Sequence, residues 1–191
     1  MTTDRSVIPA YRGAYALCLV EGGRPSEAHA LLDQEVARSF EHPNTLMLGP
    51  NLMLWSEVAG QLGHEPAARL LLPTLAPHTA RLEHKGVGTR GSYGHSAGIL
   101  AATIGDLDSA EEYLGSALRL HERLGAPFFT ARSMTELSRV LLRRKRPGDT
   151  ERAEALLAES LDLAERHGCA LVAARVRAMQ EGRVGSPSAE F

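Results

Sequence analysis

Gly105-Asp106-Leu107-Asp108-Ser109-Ala110-Glu111-Glu112-Tyr113-Leu114 decides how this chain is read, because the same frame recurs three more times. It returns as Gly23-Arg24-Pro25-Ser26-Glu27-Ala28-His29-Ala30-Leu31-Leu32, as Gly63-His64-Glu65-Pro66-Ala67-Ala68-Arg69-Leu70-Leu71-Leu72, and as Gly148-Asp149-Thr150-Glu151-Arg152-Ala153-Glu154-Ala155-Leu156-Leu157. Alanines 28, 68, 110 and 153 are spaced by 40, 42 and 43 residues. A period of that size marks a helix-pair repeat.

Each position in the frame has a physical reason. The glycine ends one helix where φ must turn positive, and the next residues begin another. Asp106 and Asp149 suit N-caps, and Pro25 and Pro66 suit a first helical turn. Downstream, Ala110, Tyr113, Leu114, Ala117, Leu118 and His121 fall on one helical stripe, as do Ala153, Leu156, Leu157, Ser160, Leu161 and Ala164. The alanine is small because a paired helix passes close by.

Upstream of each glycine lies another apolar helix, predicted at Ile8 to Glu21, Gly49 to Leu62, Ser92 to Ile104 and Pro127 to Arg144. A last helix, Ala170 to Gln180, is predicted to cap the array. Such pairs leave apolar surface bare unless they stack, so the expected fold is all-α: an α-solenoid of about four helix pairs plus the capping helix. One domain is expected over 1–181, followed by a disordered tail at 182–191. Strands are nearly absent from the reading, with aromatic residues at only 5% and no alternating run between hairpin turns.

Composition narrows the function. At 191 residues and 43% hydrophobic content the chain is long and apolar enough for a continuous core. Its 21 basic and 23 acidic residues nearly cancel, so no global field draws it to nucleic acid, and no direct nucleic-acid contact is expected. No apolar run approaches the length of a membrane helix, and the start has no signal pattern, so no membrane role and a cytoplasmic location are expected. Cys18 and Cys169 make neither a disulfide framework nor a metal site and are expected as small core residues. No cofactor or metal is expected: the eight histidines show no His-x-x-x-His spacing, and most are assigned to surface or boundary positions.

On these residues each repeat resembles a degenerate tetratricopeptide repeat, with the Gly, Glu-Ala and Leu-Leu positions in register. The stretch from Gly86 to Gly168 is similar to the C-terminal helical region of large bacterial transcriptional regulators and signalling ATPases, of the LuxR-type and related cyclase or antibiotic-regulator families. The resemblance implies a helical interaction array. The sequence has no Gly-x-x-x-x-Gly-Lys-Ser/Thr phosphate loop and no helix-turn-helix module, so those families' ATPase and DNA-binding activities are not carried over.

Three motifs point elsewhere. Gly94-His95-Ser96-Ala97-Gly98 matches the hydrolase nucleophile elbow, but that motif needs a strand before it and a parallel sheet behind it, and close helix packing is the preferred account. Gly86-Val87-Gly88-Thr89-Arg90-Gly91 matches a dinucleotide fingerprint, with Glu111 about 20 residues on, yet it follows a helix. With Lys85 and Arg90 it could hold an anion; a flexible connector is preferred. The run Arg143-Arg144-Lys145-Arg146 is read as solvated cations at a helix C-terminus rather than a phosphate site.

Non-catalytic binding of a protein or peptide is therefore the expected function. In a solenoid the first helix of each pair faces the concave side. Carrying the register across places Met53, Glu57 and Gln61, then Ser92, His95, Ile99 and Thr103, then Arg132, Thr135, Arg139 and Leu142 toward the groove. Arg132 and Arg139, on one helical face, suit an acidic or C-terminal carboxylate. The alternatives are a small-molecule sensor with a pocket of roughly 300–1,000 Å³ and a serine hydrolase using Ser96. Self-association through a terminal helix pair is compatible with an array that has one exposed end.

Overall fold

The computed structural model describes residues 11–41, 48–84 and 88–182. The chain is all-α: 78% of these residues are helical and 2% are in strand. Among them run nine α-helices: α1 (Arg12–Glu21), α2 (Pro25–Val36), α3 (Leu48–Leu62), α4 (Glu65–Leu75), α5 (Tyr93–Thr103), α6 (Leu107–Arg123), α7 (Pro127–Arg144), α8 (Asp149–Arg166) and α9 (Ala170–Gln180). The predicted bounds of the last odd-numbered helices, α7 and α9, agree to the residue. The start of the first predicted helix, at Ile8, and nearly all of the predicted tail lie outside the described residues.

Glycines 23, 63 and 105 adopt positive φ, between 64° and 84°, as a helix-ending glycine must where a side chain would be strained. Gly148 also has positive φ, at 82°, but contrary to expectation it opens α8, and α7 is capped at its end by Lys145, itself at φ 57°. Asp106 caps α6, its carboxylate accepting the Ser109 N–H at 3.1 Å. Asp149 departs from the expectation. Gly148 is the N-cap and Asp149 the first helical residue, because its carboxylate is drawn to Arg144 (2.9 Å) and to the Arg146 N–H (2.9 Å).

Each helix packs on its chain neighbour, and α1, α3, α5, α7 and α9 also touch in that order. Ala28, Ala68, Ala110 and Ala153 are fully buried. In α6 the buried residues are Ala110, Leu114, Ala117 and His121, and in α8 Asp149, Ala153, Leu157, Ser160 and Ala164, so one stripe of each faces its neighbours. The core runs as three adjoining clusters, the first around fully buried Trp55, Leu32, Leu71 and Leu100, the second around Leu114, Leu137 and Leu141, the third around Leu157, Val172 and Val176. No helix among the described residues is long and apolar enough to cross a membrane.

The small residues of Gly94-His95-Ser96-Ala97-Gly98 lie where α5 and α6 cross. A Cβ on Gly94 would come within 2.9 Å of the carbonyl oxygens of Thr79 and Tyr113, and one on Gly98 within 2.4 Å of Leu114 Cγ. Gly98→Ala should therefore cost roughly 1–3 kcal/mol through overpacking. A urea midpoint unchanged from wild type would contradict that close crossing.

In the basic run at the end of α7, Arg143, Lys145 and Arg146 are exposed, as expected, but Arg144 is not a solvated cation. Arg144, with its side chain 11% exposed, pairs with Asp108 (3.2 Å), Asp149 and Glu111. Arg143 donates to the Ala102 carbonyl at 2.7 Å, and Arg146 pairs with Asp108 at 2.7 Å. Opposite charges on α6 and at the head of α8 thus pair with Arg144 and Arg146. The Arg144 hydrogen bonds hold Asp149 down to about 2 and raise the arginine's own value.

Candidate partner-binding groove

The odd-numbered helices enclose one concavity with two adjoining compartments. The larger, about 310 Å³, is walled by α1 (Leu17, Cys18, Glu21), Glu57 of α3, Thr89 and Arg90 of the connector, α7 from Phe128 to Glu136, and α9 (Leu171, Val172, Arg175). The smaller, about 280 Å³, is walled by residues of α1, α3, α5, α7 and α9, among them Gln61, Ile99, Arg139 and Met179. Glu57, Arg132, Glu136 and Arg175 line both. No even-numbered helix contributes to either wall.

The lining is amphipathic. Phe128 and Phe129 meet edge to face, with ring centroids 5.1 Å apart, and the Arg132 guanidinium lies 5.5 Å from the Phe128 ring centre, within the range of a cation–π attraction. Phe128 and Leu171 remain 42% and 58% exposed, so apolar area is left for something to cover. Charge is paired along the walls: Arg132 with Glu57 (2.9 Å) and Arg175 with Glu21 across helices, Arg90 of the connector with the same Glu57 oxygen (3.2 Å), and Arg139 with Glu136 (3.1 Å) within α7.

Of the residues singled out from sequence, Glu57, Gln61, Ile99, Arg132, Thr135 and Arg139 line the groove. Thr135 gives its hydroxyl to the Ala131 carbonyl (2.8 Å) and faces Ser160. Met53, Ser92 and His95 are buried. Thr103 turns its hydroxyl back to the Ile99 carbonyl, and Leu142 packs on two core clusters. The sequence reading missed Glu21, Phe128, Glu136, Leu171 and Arg175. A register carried over three repeats has no reach to α1 or α9, and on α7 it selected positions other than Phe128 and Glu136. Cys18 is exposed on the wall of the larger compartment and Cys169 is half-buried just before α9, contrary to the expected core positions.

The Gly-rich connector is more ordered at its ends than a bare linker requires. Leu82–Glu83 pairs antiparallel with Gly91–Ser92, and the Thr89 hydroxyl donates to the Glu83 carbonyl at 2.5 Å. Arg90 is committed to Glu57 rather than to an anion, and Glu111 to Arg144 and Arg152. Lys85, Gly86 and Val87 lie outside the described residues.

Beneath α5 and α7 runs a buried polar chain. The Ser92 N–H donates to His121 Nε2 (2.9 Å), which leaves the proton of the neutral ring on Nδ1, facing Ser133 Oγ at 3.1 Å. Ser133 in turn donates to His95 Nδ1 at 3.1 Å, a tautomer assignment that follows from the network. His95 Nε2 is then a buried donor with no protein acceptor. Burial, followed by the charge of Arg132, drives His95 well below the ordinary histidine value, and burial takes His121 down to about 4. Histidines 64, 95 and 121 are thus interior, whereas His29, His78, His84 and His167 are exposed or half-buried, as expected of most histidines. Ser96 Oγ is buried without a hydrogen-bond partner.

On the other side of the molecule, ligand atoms of His29, Asp33 and His64 lie within 4.8 Å of one another. His64 Nδ1 accepts the Ala67 N–H (3.1 Å) as the N-cap of α4, so its proton is on Nε2, which donates to Asp33 at 3.0 Å. The nitrogen facing the cluster is therefore the protonated one, and a metal there would first have to break the cap. The hydrogen bond from His64, then that from His29, lowers the Asp33 carboxyl against the opposing effect of burial.

No model of a known protein family matches the chain, and no curated protein matches it.

Proposed function

We propose that the chain is a tetratricopeptide-like α-solenoid that binds an extended segment of a partner protein in this groove, without catalysis. The observation that carries the reading is that every helix in the groove walls is odd-numbered, α1, α3, α5, α7 and α9, with the connector residues Thr89 and Arg90 beside them. Apolar faces next to arginine–glutamate pairs suit a segment carrying both apolar and acidic side chains. Arg132 and Arg139 lie seven residues apart on α7 and both line the smaller compartment. Their double change to alanine should lower affinity for a captured partner at least tenfold, as loss of a desolvated charged contact at about 2–5 kcal/mol implies. Full retention of binding, with the helical circular dichroism signal intact, would remove the arginines from the partner site.

A small-molecule sensor is the second reading, favoured by compartments of about 310 and 280 Å³, near the lower limit for enclosing a drug-sized ligand. A hydrolase reading meets the placement of Ser96, inside α5 with its hydroxyl buried. The serine should stay unlabelled by a fluorophosphonate. Stoichiometric labelling lost in Ser96→Ala would reverse the choice of binder over enzyme.

A further inference from the structure

We infer that the Arg175–Glu21 ion pair is a clasp across the groove, which a partner segment must open and whose arginine the partner then takes over. The pair joins α9 to α1 across 154 residues of chain. Neither helix packs substantially on the other: α1 rests on α2 and α3, and α9 on α7 and α8. Among the described residues this ion pair is the hydrogen-bonded link between them. Glu21 is held from a second side by the Gln61 amide at 3.1 Å.

The location gives the clasp its role. Arg175 lines both compartments, while Glu21 lines the larger and its neighbour Val20 the smaller, so the pair bridges α1 and α9 where the compartments meet. A segment lying through both must pass between these helices and displace Glu21. An acidic side chain of the incoming segment restores the partner that Arg175 loses, which makes Glu21 and Arg175 determinants of specificity. The two side chains are 35% and 31% exposed, and ion pairs of that exposure hold weakly and are screened by salt. A link made of two flexible side chains opens without unpacking a helix.

The inference rests on the reading of the groove as a partner site, but the clasp can be tested with no partner present. The chain's two cysteines, Cys18 on α1 and Cys169 just before α9, can carry nitroxide labels in the full chain for a distance measurement by pulsed electron resonance. Wild-type protein at low salt should give a single short distance. Glu21→Arg or Arg175→Glu alone should move the closed-to-open ratio about fivefold toward longer distances, the most that one exposed pair supports. The two reversals together should restore the short one. Roughly 1 M NaCl, where the screening length is about 3 Å, should lengthen the wild-type distance without any substitution, so the test stands even where a reversal disturbs folding. One distribution common to low salt, high salt and all three variants would overturn the clasp. A clasp that responds as expected, in a protein whose partner crosslinks away from the groove, would leave the clasp standing and remove its link to a partner.

Discussion

Stability should fall steeply between pH 6.5 and 4, by about 3 kcal/mol from His121 alone, because burial holds its ring neutral down to about 4 instead of the ordinary 6.5, at about 1.36 kcal/mol for each pH unit of that interval. The sign follows from burial. His121 and His95 are held neutral in the folded chain, below their unfolded values, so the unfolded chain binds more protons in this window and acid favours it. Their contribution is complete above about pH 6.5 and is lost as the pH drops toward 4. At still lower pH Asp149, held to about 2 by Arg144 and the Arg146 amide, is protonated and its contribution goes too. Urea midpoints from pH 7.5 down to 4.5 should show the loss, and His121→Gln should flatten it. Midpoints that do not move with pH would mean that the two histidines are not buried as neutral rings.

Ser133→Ala should be among the most damaging single changes, at about 2–4 kcal/mol, although it removes one oxygen atom. Ser133 is fully buried and is the one group between His121 Nδ1 and His95 Nδ1. Alanine leaves a buried donor on the first ring and a buried acceptor on the second, and each orphan costs about 1–3 kcal/mol where water cannot enter. Ser138, also fully buried, bonds only to the Met134 carbonyl of its own helix (2.8 Å), so Ser138→Ala is the control and should cost less than about 1 kcal/mol. Equal losses for the two variants, by chemical denaturation, would show that the chain through Ser133 contributes no more than an ordinary intrahelical hydroxyl.

Helix positions were legible because they depend on local chemistry repeated in step: a glycine free to take positive φ, a small alanine, then paired leucines. Periodicity also outperformed residue type. His121 falls on the stripe defined by Ala110, Leu114 and Ala117, and it is buried even though histidines as a class suggest the surface. The groove was legible only where a register existed to carry over, which reached Glu57, Ile99, Arg132 and Arg139. Glu21 and Arg175 belong to terminal helices, and their pairing across 154 residues leaves no periodic trace. The fate of Arg144 was hidden for the same reason. Its acidic partners lie on α6 and at the head of α8, so a local view of four consecutive basic residues shows only repulsion to be relieved by solvent.

The claim that partners bind on the face formed by the odd-numbered helices is tested most directly by where they crosslink. A photoreactive residue in place of Leu171 on α9 lies on the groove wall, and one in place of Leu70 on α4 lies outside it, with the two native side chains 58% and 44% exposed. A partner that binds as proposed should crosslink from position 171 and not from position 70, and the 171 crosslink should fade when Arg132 and Arg139 are both alanine. Crosslinking from position 70 alone, or from position 171 at undiminished yield in the arginine variant, would contradict the account.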